Sequence, residues 1–178
     1  MDPVIAITIS LCMSLMFGSA AVHKLRAPAI FRATMDEYRL IPLQLSGLVA
    51  VFLILAEFLA AILVLIPAVR MAGLLAMAAL LLIYTAGIGI NLLRGRRDID
   101  CGCSGPASRH ELSGWLVLRN LVLLSLVLLT ASPLIHRPMN WLDVVVVLSG
   151  VAVASGLYMA MNQLLAQAPR LAALRTGA

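Results

Sequence analysis

Long apolar runs set the pattern of this chain. The first, Val4–Val22, carries no charge, and the second, Leu43–Val69, carries only Glu57. Met71–Leu93 is again uncharged. Trp115–Ile135 has Arg119 and Asn120 near its start, and Trp141–Leu165 has Asp143 in its first turn. Each run approaches the ~20 residues that cross ~30 Å of hydrocarbon. None alternates apolar with polar positions, so the pattern predicts helices rather than barrel strands. The expected fold is all-α: a single integral-membrane domain over residues 1–178, with helices near 4–22, 43–69, 71–93, 115–135 and 141–165. The first run differs from a cleaved signal peptide. Asp2 replaces a positive start, and His23-Lys24 replaces a small-residue cleavage site, so it reads as a retained helix.

The connections carry the polar residues. "IPAVRM", Ile66 to Met71, predicts a tight hairpin at Pro67, and "SPLIHRPMN" joins the last two runs. "APAIFRATMDEYRLIP", Ala27 to Pro42, begins with a proline suited to a first helical turn. Phe31, Thr34, Met35 and Tyr38 follow i, i+3, i+4, i+7 spacing, which predicts a short interfacial helix over 28–40. Arg32 and Asp36 stand four apart on its other face, placed to pair.

Composition agrees with this layout. The chain is 62% hydrophobic and 12% charged, whereas soluble domains have about 25% charged residues. A net charge of +5 would suit nucleic acid, but the basic residues lie between apolar runs, so a bilayer is the expected partner and nucleic acid is not. By helix parity, Lys24, Arg26, Arg32, Arg39, Arg94, Arg96, Arg97, Arg109, Arg170 and Arg175 share one face, against Arg70 and Arg137 on the other. The positive-inside rule then places the first face in the cytoplasm.

The loop "RGRRDIDCGCSGP", Arg94 to Pro106, holds the candidate chemistry. Cys101 and Cys103 are separated by Gly102. Thiols so close can join only with strain, which Gly102 relieves and which makes a disulfide labile. Nearby arginines, Arg97 among them, favour a thiolate, while Asp98 and Asp100 oppose it. Three readings follow: redox chemistry, metal binding, or two structural cysteines. A closed zinc site needs four ligands, and only His110 and Asp100 are near, so no metal is assigned. Cys12, midway along the first run, reads as a small buried hydrophobe. Glu57 is the sole acid deep in an apolar run; it can pass protons or bond another helix. By depth it falls beyond the midplane from the cysteine loop, nearer Cys12. His23, Asn91, Arg119 and Asn120 fall near the loop face and can form a polar pocket beneath it. For His23, Lys24 and Arg119 the plain alternative is snorkelling to the interface. The small residues of "SGVAVASG" and "GIGIN" suit close helix packing.

Two of these stretches carry a resemblance. "FGSAAVHKLRAPAIFRATMDEYRLIP", Phe17 to Pro42, resembles the MauE/DoxX family: a first helix ending in Lys-Leu, a proline, then a helix ending in Tyr-Arg-x-x-Pro. "DCGCSG" resembles the Asp-Cys-Gly-Cys-x-Gly motif of its methylamine utilisation (MauE) branch, with Ser104 where phenylalanine often stands. The resemblance covers almost the whole chain. It implies a DoxX-like four-helix core plus a fifth transmembrane helix in the bacterial inner membrane. It further implies an accessory role in maturing the methylamine dehydrogenase small subunit, beside a thioredoxin-like MauD protein, with Cys101, Gly102 and Cys103 as the functional positions.

Three functions compete. The leading one is a redox-active maturation factor that forms, isomerises or relays to disulfides. The second is a thiol:quinone oxidoreductase, an enzyme in the strict sense, with Arg119, His23 and Tyr84 as candidates for a quinone pocket. The third is a non-catalytic scaffold for the thioredoxin-like partner. The implied substrate is exported, while the charge bias puts the cysteines inside, so direct oxidation would require a relay.

Overall fold

The computed structural model describes residues 1–96, 99, 112–133, 135 and 137–176, with side chains through residue 164. Arg97, Asp98, Asp100, Cys101, Gly102, Cys103, Arg109 and His110 lie outside the described residues. The described chain is helical: α1 Pro3–Arg26, α2 Pro28–Tyr38, α3 Leu43–Leu63, α4 Arg70–Leu93, α5 Gly114–Thr130 and α6 Trp141–Thr176. Helices α1, α3 and α6 and the stretch Pro67–Leu93 are long and apolar enough to cross a membrane. α5 is apolar and shorter, at 17 residues, still within the range that spans hydrocarbon. The chain is an all-α, multi-pass membrane bundle.

Helix ends depart from the apolar runs for local reasons. The second run does not continue as helix to Val69. α3 stops at Leu63, and Pro67–Val69 is a 3-10 turn, because proline cannot donate the hydrogen bond that a continuing helix needs. α5 ends at Thr130 rather than 135, just before Ser132-Pro133, where the residue preceding proline is driven from helical angles. α1 runs one turn past its apolar stretch to Arg26. Its start is fixed by Asp2, whose carboxylate accepts from the Val4 amide at 2.8 Å, and by Pro3 at the first position. α6 runs past Leu165 to Thr176, continuing through Pro169, which takes one backbone hydrogen bond out of the helix interior.

Four helices close a ring. α1 packs on α3 and α5, and α4 packs on the same two. α6 lies outside this ring against α1, where Gly150 admits the Thr8 side chain. The ring's core is Met13, Phe17, Leu53, Ala60, Met77, Leu81 and Val127. The α3–α4 hairpin depends on Gly73: a Cβ there would fall 2.4 Å from the Val64 backbone nitrogen. That contact is with backbone, so no side chain can yield to relieve it.

α2 corrects two expectations. Its stripe of Phe31, Thr34 and Tyr38 is buried, with Met35 half-buried. The helix packs on α3 and α1, so the stripe is turned to the bundle end and not to lipid. Arg32 does not pair with Asp36; its Nε donates to Ser46 Oγ at 3.4 Å beside Gly47, because α3 starts directly under that face. Arg39 ends α2 with φ 48°, a left-handed cap that turns the chain toward Pro42.

The two ends of the bundle are defined by contacts. At one, the Ile135 amide donates to the Met1 carbonyl at 2.9 Å, Arg137 bridges Asp2 and Asp143, and Arg70 donates to the Thr130 carbonyl. At the other, Ile99 and Leu112, which flank the cysteine loop, pack with Tyr38, Ile88 and Leu116. Ile99, Leu112 and α2 therefore share a bundle end, opposite Asp2, Arg70 and Arg137.

The clasp at the first end titrates. The Val4 amide, and then the Arg137 guanidinium, hold the Asp2 carboxyl below the ordinary carboxylate range. A lowered folded pKa gives stability that is complete above the unfolded value, about 3.9, and lost as pH falls through the folded one. The melting difference between the wild type and Asp2→Asn in detergent is expected to be constant from neutral pH to about pH 4. It should shrink only below that. A difference that fades between pH 7 and 5 would contradict this origin.

Candidate functional site

Under α2, inside the ring, lies a buried charge pair. Lys24 and Glu57 are 5% and 1% exposed, and Lys24 Nζ donates to Glu57 Oε1. Tyr84 Oη donates to the same oxygen at 2.5 Å, and Lys24 Nζ also reaches Tyr84 Oη at 3.2 Å. The ammonium sits 4.8 Å from the Phe31 ring centre and 4.6 Å from that of Tyr84, close enough for attraction to both ring faces. Three spans and α2 thus converge on one cation. Ionised groups at this depth persist only when paired, and here each charge supplies the other's partner.

This arrangement corrects two readings. Lys24 does not snorkel. It lies on the buried stripe of α1, which continues Ala6, Ser10, Met13, Phe17, Ala21 to Lys24. That spacing was the available signal, hidden by the basic run His23, Lys24, Arg26 at a helix end. Glu57 does not lie toward Cys12. α1 extends a turn past its apolar run, and the four-carbon lysine chain reaches back to meet Glu57 below Phe31. Ser14, two residues from Cys12, bonds instead to the Ala61 carbonyl at 2.7 Å, a turn further along α3. Cys12 is a half-buried free thiol.

A cavity of about 580 Å³ opens beside the pair, between α1, α5 and α6. This falls in the size range of small-molecule sites. Lys24, Glu57 and Tyr84 line it, and His23, Arg119 and Asn120 bring polar groups from α1 and α5. His23 is exposed. Arg119 Nη1 donates to Asn162 Oδ1 at 3.3 Å, tying α5 to α6, and Nη2 reaches Asn120 Oδ1 at 3.5 Å. His23, Arg119 and Asn120, expected to meet in one polar pocket, line a single cavity whose walls are mostly apolar. Asn91 is not among its lining residues: it is fully buried, donates to the Gly87 carbonyl at 3.1 Å and accepts from Arg96 at 3.3 Å. Its amide ties the last turn of α4 to the start of the cysteine loop. Tyr84 and His23, weighed for a quinone pocket with Arg119, do line one cavity with it. Lys24 is the residue that sequence reasoning missed.

The family model described as "Methylamine utilisation protein MauE" matches residues 2–133, the span of α1 through α5. Curated relatives of that description are similar along most of their length. That of Paracoccus denitrificans is 36% identical over 75% of this chain and 72% of its own. That of Methylophilus methylotrophus is 32% identical over 90% of this chain and 86% of its own. The Paracoccus versutus protein is 33% identical over 71% and 68%. No solved structure matches. Because the family model spans the whole four-helix ring and α2, this chain belongs to the MauE family.

Proposed function

We propose that this chain is an accessory protein of methylamine utilisation in the bacterial inner membrane. Its task is to form, isomerise or keep correct the disulfides of the methylamine dehydrogenase small subunit, in company with a thioredoxin-like MauD protein. The observation that carries this reading is the Asp100-Cys101-Gly102-Cys103 stretch in a chain of this family. The loop containing it is anchored at both flanks, by Ile99 and Leu112, onto the α2 end of the bundle. In the exchange, one thiolate attacks a partner disulfide and forms a mixed disulfide. The second thiol then displaces the partner, which leaves as a dithiol while the pair becomes a disulfide; the reverse direction uses the same atoms.

Orientation decides which partner is reached. The charge bias assigns the α2 end to the cytoplasm, and an exported subunit is then served by passing reducing equivalents across the bilayer. An impermeant maleimide applied to spheroplasts tests this: reduced Cys101 or Cys103 is expected to stay unlabelled until the membrane is opened. Labelling from outside would favour a periplasmic thiol oxidant. The exchange itself is tested by trapping. A chain retaining only one cysteine of the pair is expected to accumulate a mixed disulfide, resolved by reductant on a non-reducing gel. Its absence with either single variant would favour the scaffold reading.

A further inference from the structure

The Lys24–Glu57–Tyr84 cluster leaves one polar atom unused. Glu57 Oε1 takes both donors, while Oε2 is buried and has no hydrogen-bond partner among the described residues. A buried carboxylate oxygen without a donor costs free energy unless a ligand supplies one. Glu57 lines the cavity, so a ligand there can supply it. The geometry points to a binding site for the headgroup of a lipid-soluble quinone. This rests on the thiol-exchange reading above, in which a cysteine pair left as a dithiol needs a two-electron acceptor to become a disulfide again.

Three features select that class. First, the cavity lies between spans. Its walls include Phe17, Leu81, Leu123 and Met159, and α6, which forms one side, is mostly exposed over its apolar span. A ligand arriving there comes from lipid and is apolar over most of its surface. Second, a carboxylate inside the site opposes phosphate headgroups, and the Lys24 charge is already neutralised by it. A neutral headgroup fits better. Third, donors and an acceptor meet at one place. Lys24 carries a third proton beyond those it gives Glu57 and Tyr84 and can donate to a carbonyl oxygen, and Glu57 Oε2 can accept from a hydroxyl. A quinone needs both in turn. Oxidation of a dithiol to a disulfide releases two electrons and two protons, and a quinone that takes all four becomes a quinol, with its carbonyl oxygens now hydroxyls.

The full chain in phosphatidylcholine nanodiscs, titrated with a decyl-substituted benzoquinone, tests the site. Wild type and Cys101→Ser/Cys103→Ser are both expected to bind it saturably. Ser155→Phe, which fills the cavity from α6, should weaken binding by about tenfold or more. Val146→Phe, on the exposed side of α6, should leave it unchanged. Lys24→Met/Glu57→Leu, which removes both charges together, should weaken it as Ser155→Phe does. The absence of saturable binding, or equal affinity in Ser155→Phe and Val146→Phe, would overturn the site. Equal displacement by decanol would overturn the quinone class, since a single hydroxyl would then suffice. The two readings separate cleanly. Binding without reduction of the quinone by the pre-reduced wild type sinks electron transfer from the thiols to the quinone and leaves the site standing. Cysteine-dependent maturation without quinone binding sinks the site alone.

Discussion

Glu57→Leu alone is expected to destabilise the bundle by about 3–5 kcal/mol, the usual cost of stranding one charge of a buried pair. Lys24 is 5% exposed and would keep its ammonium among Phe31, Tyr84 and apolar neighbours, with no carboxylate beside it. Lys24→Met should be comparably damaging, because Glu57 then retains only Tyr84 as a donor. The double variant Lys24→Met/Glu57→Leu is expected to recover most of the loss, since replacing both members of a buried pair by apolar groups of similar size is often neutral or better. Thermal retention of the monodisperse protein in detergent measures all three. A double variant as unstable as the sum of the singles would show that the pair is not the coupled unit described here.

The second large effect is functional. Cys101→Ser/Cys103→Ser is expected to abolish maturation of the dehydrogenase small subunit, while the bundle folds and inserts as before. Serine keeps the size and polarity of the loop but removes the nucleophile and the capacity for a disulfide. Cys12→Ala should leave maturation intact, because Cys12 sits on α1 near the level of Ser14 and Ala61, away from the loop end. Small-subunit abundance and its disulfide state in cells carrying each variant are the readouts. Full maturation with the double serine variant would leave a scaffold that holds its partner without redox chemistry.

The spans were legible because hydrocarbon asks for a simple thing: about 20 apolar residues in a row. Their ends were less so. Lipid tolerates Leu65, Ile66 and Val69 equally as helix or turn, so only Pro67 told them apart, and hydropathy alone extended the run past it. Of the polar site, Glu57 stood out as a lone acid in an apolar stretch, and Arg119 and Asn120 as polar residues inside one. Lys24 did not. A lysine at a helix end is ordinarily an interface anchor, and only its register with Phe17 and Ala21 marks it as inward-facing. The stripe of α2 was read correctly as a buried face but given to the wrong neighbour. Spacing shows that a face is covered and is silent on whether lipid or protein covers it.

The Lys24–Glu57 pair also bears on how the chain enters the bilayer. Its members belong to α1 and α3, consecutive spans of this chain. Alone, α3 would present the Glu57 carboxylate to lipid, at about 2.5–3.5 kcal/mol for a charge near the centre of a helix, while Lys24, in the last turn of α1, could only turn away to the interface. Together they neutralise one another as soon as α3 arrives. Membrane integration is therefore expected to favour release of α1 and α3 as a joined hairpin rather than singly. The helices that follow then assemble on a template already locked by its own charges, and the translating ribosome hands over the bundle's polar centre before its outer wall exists.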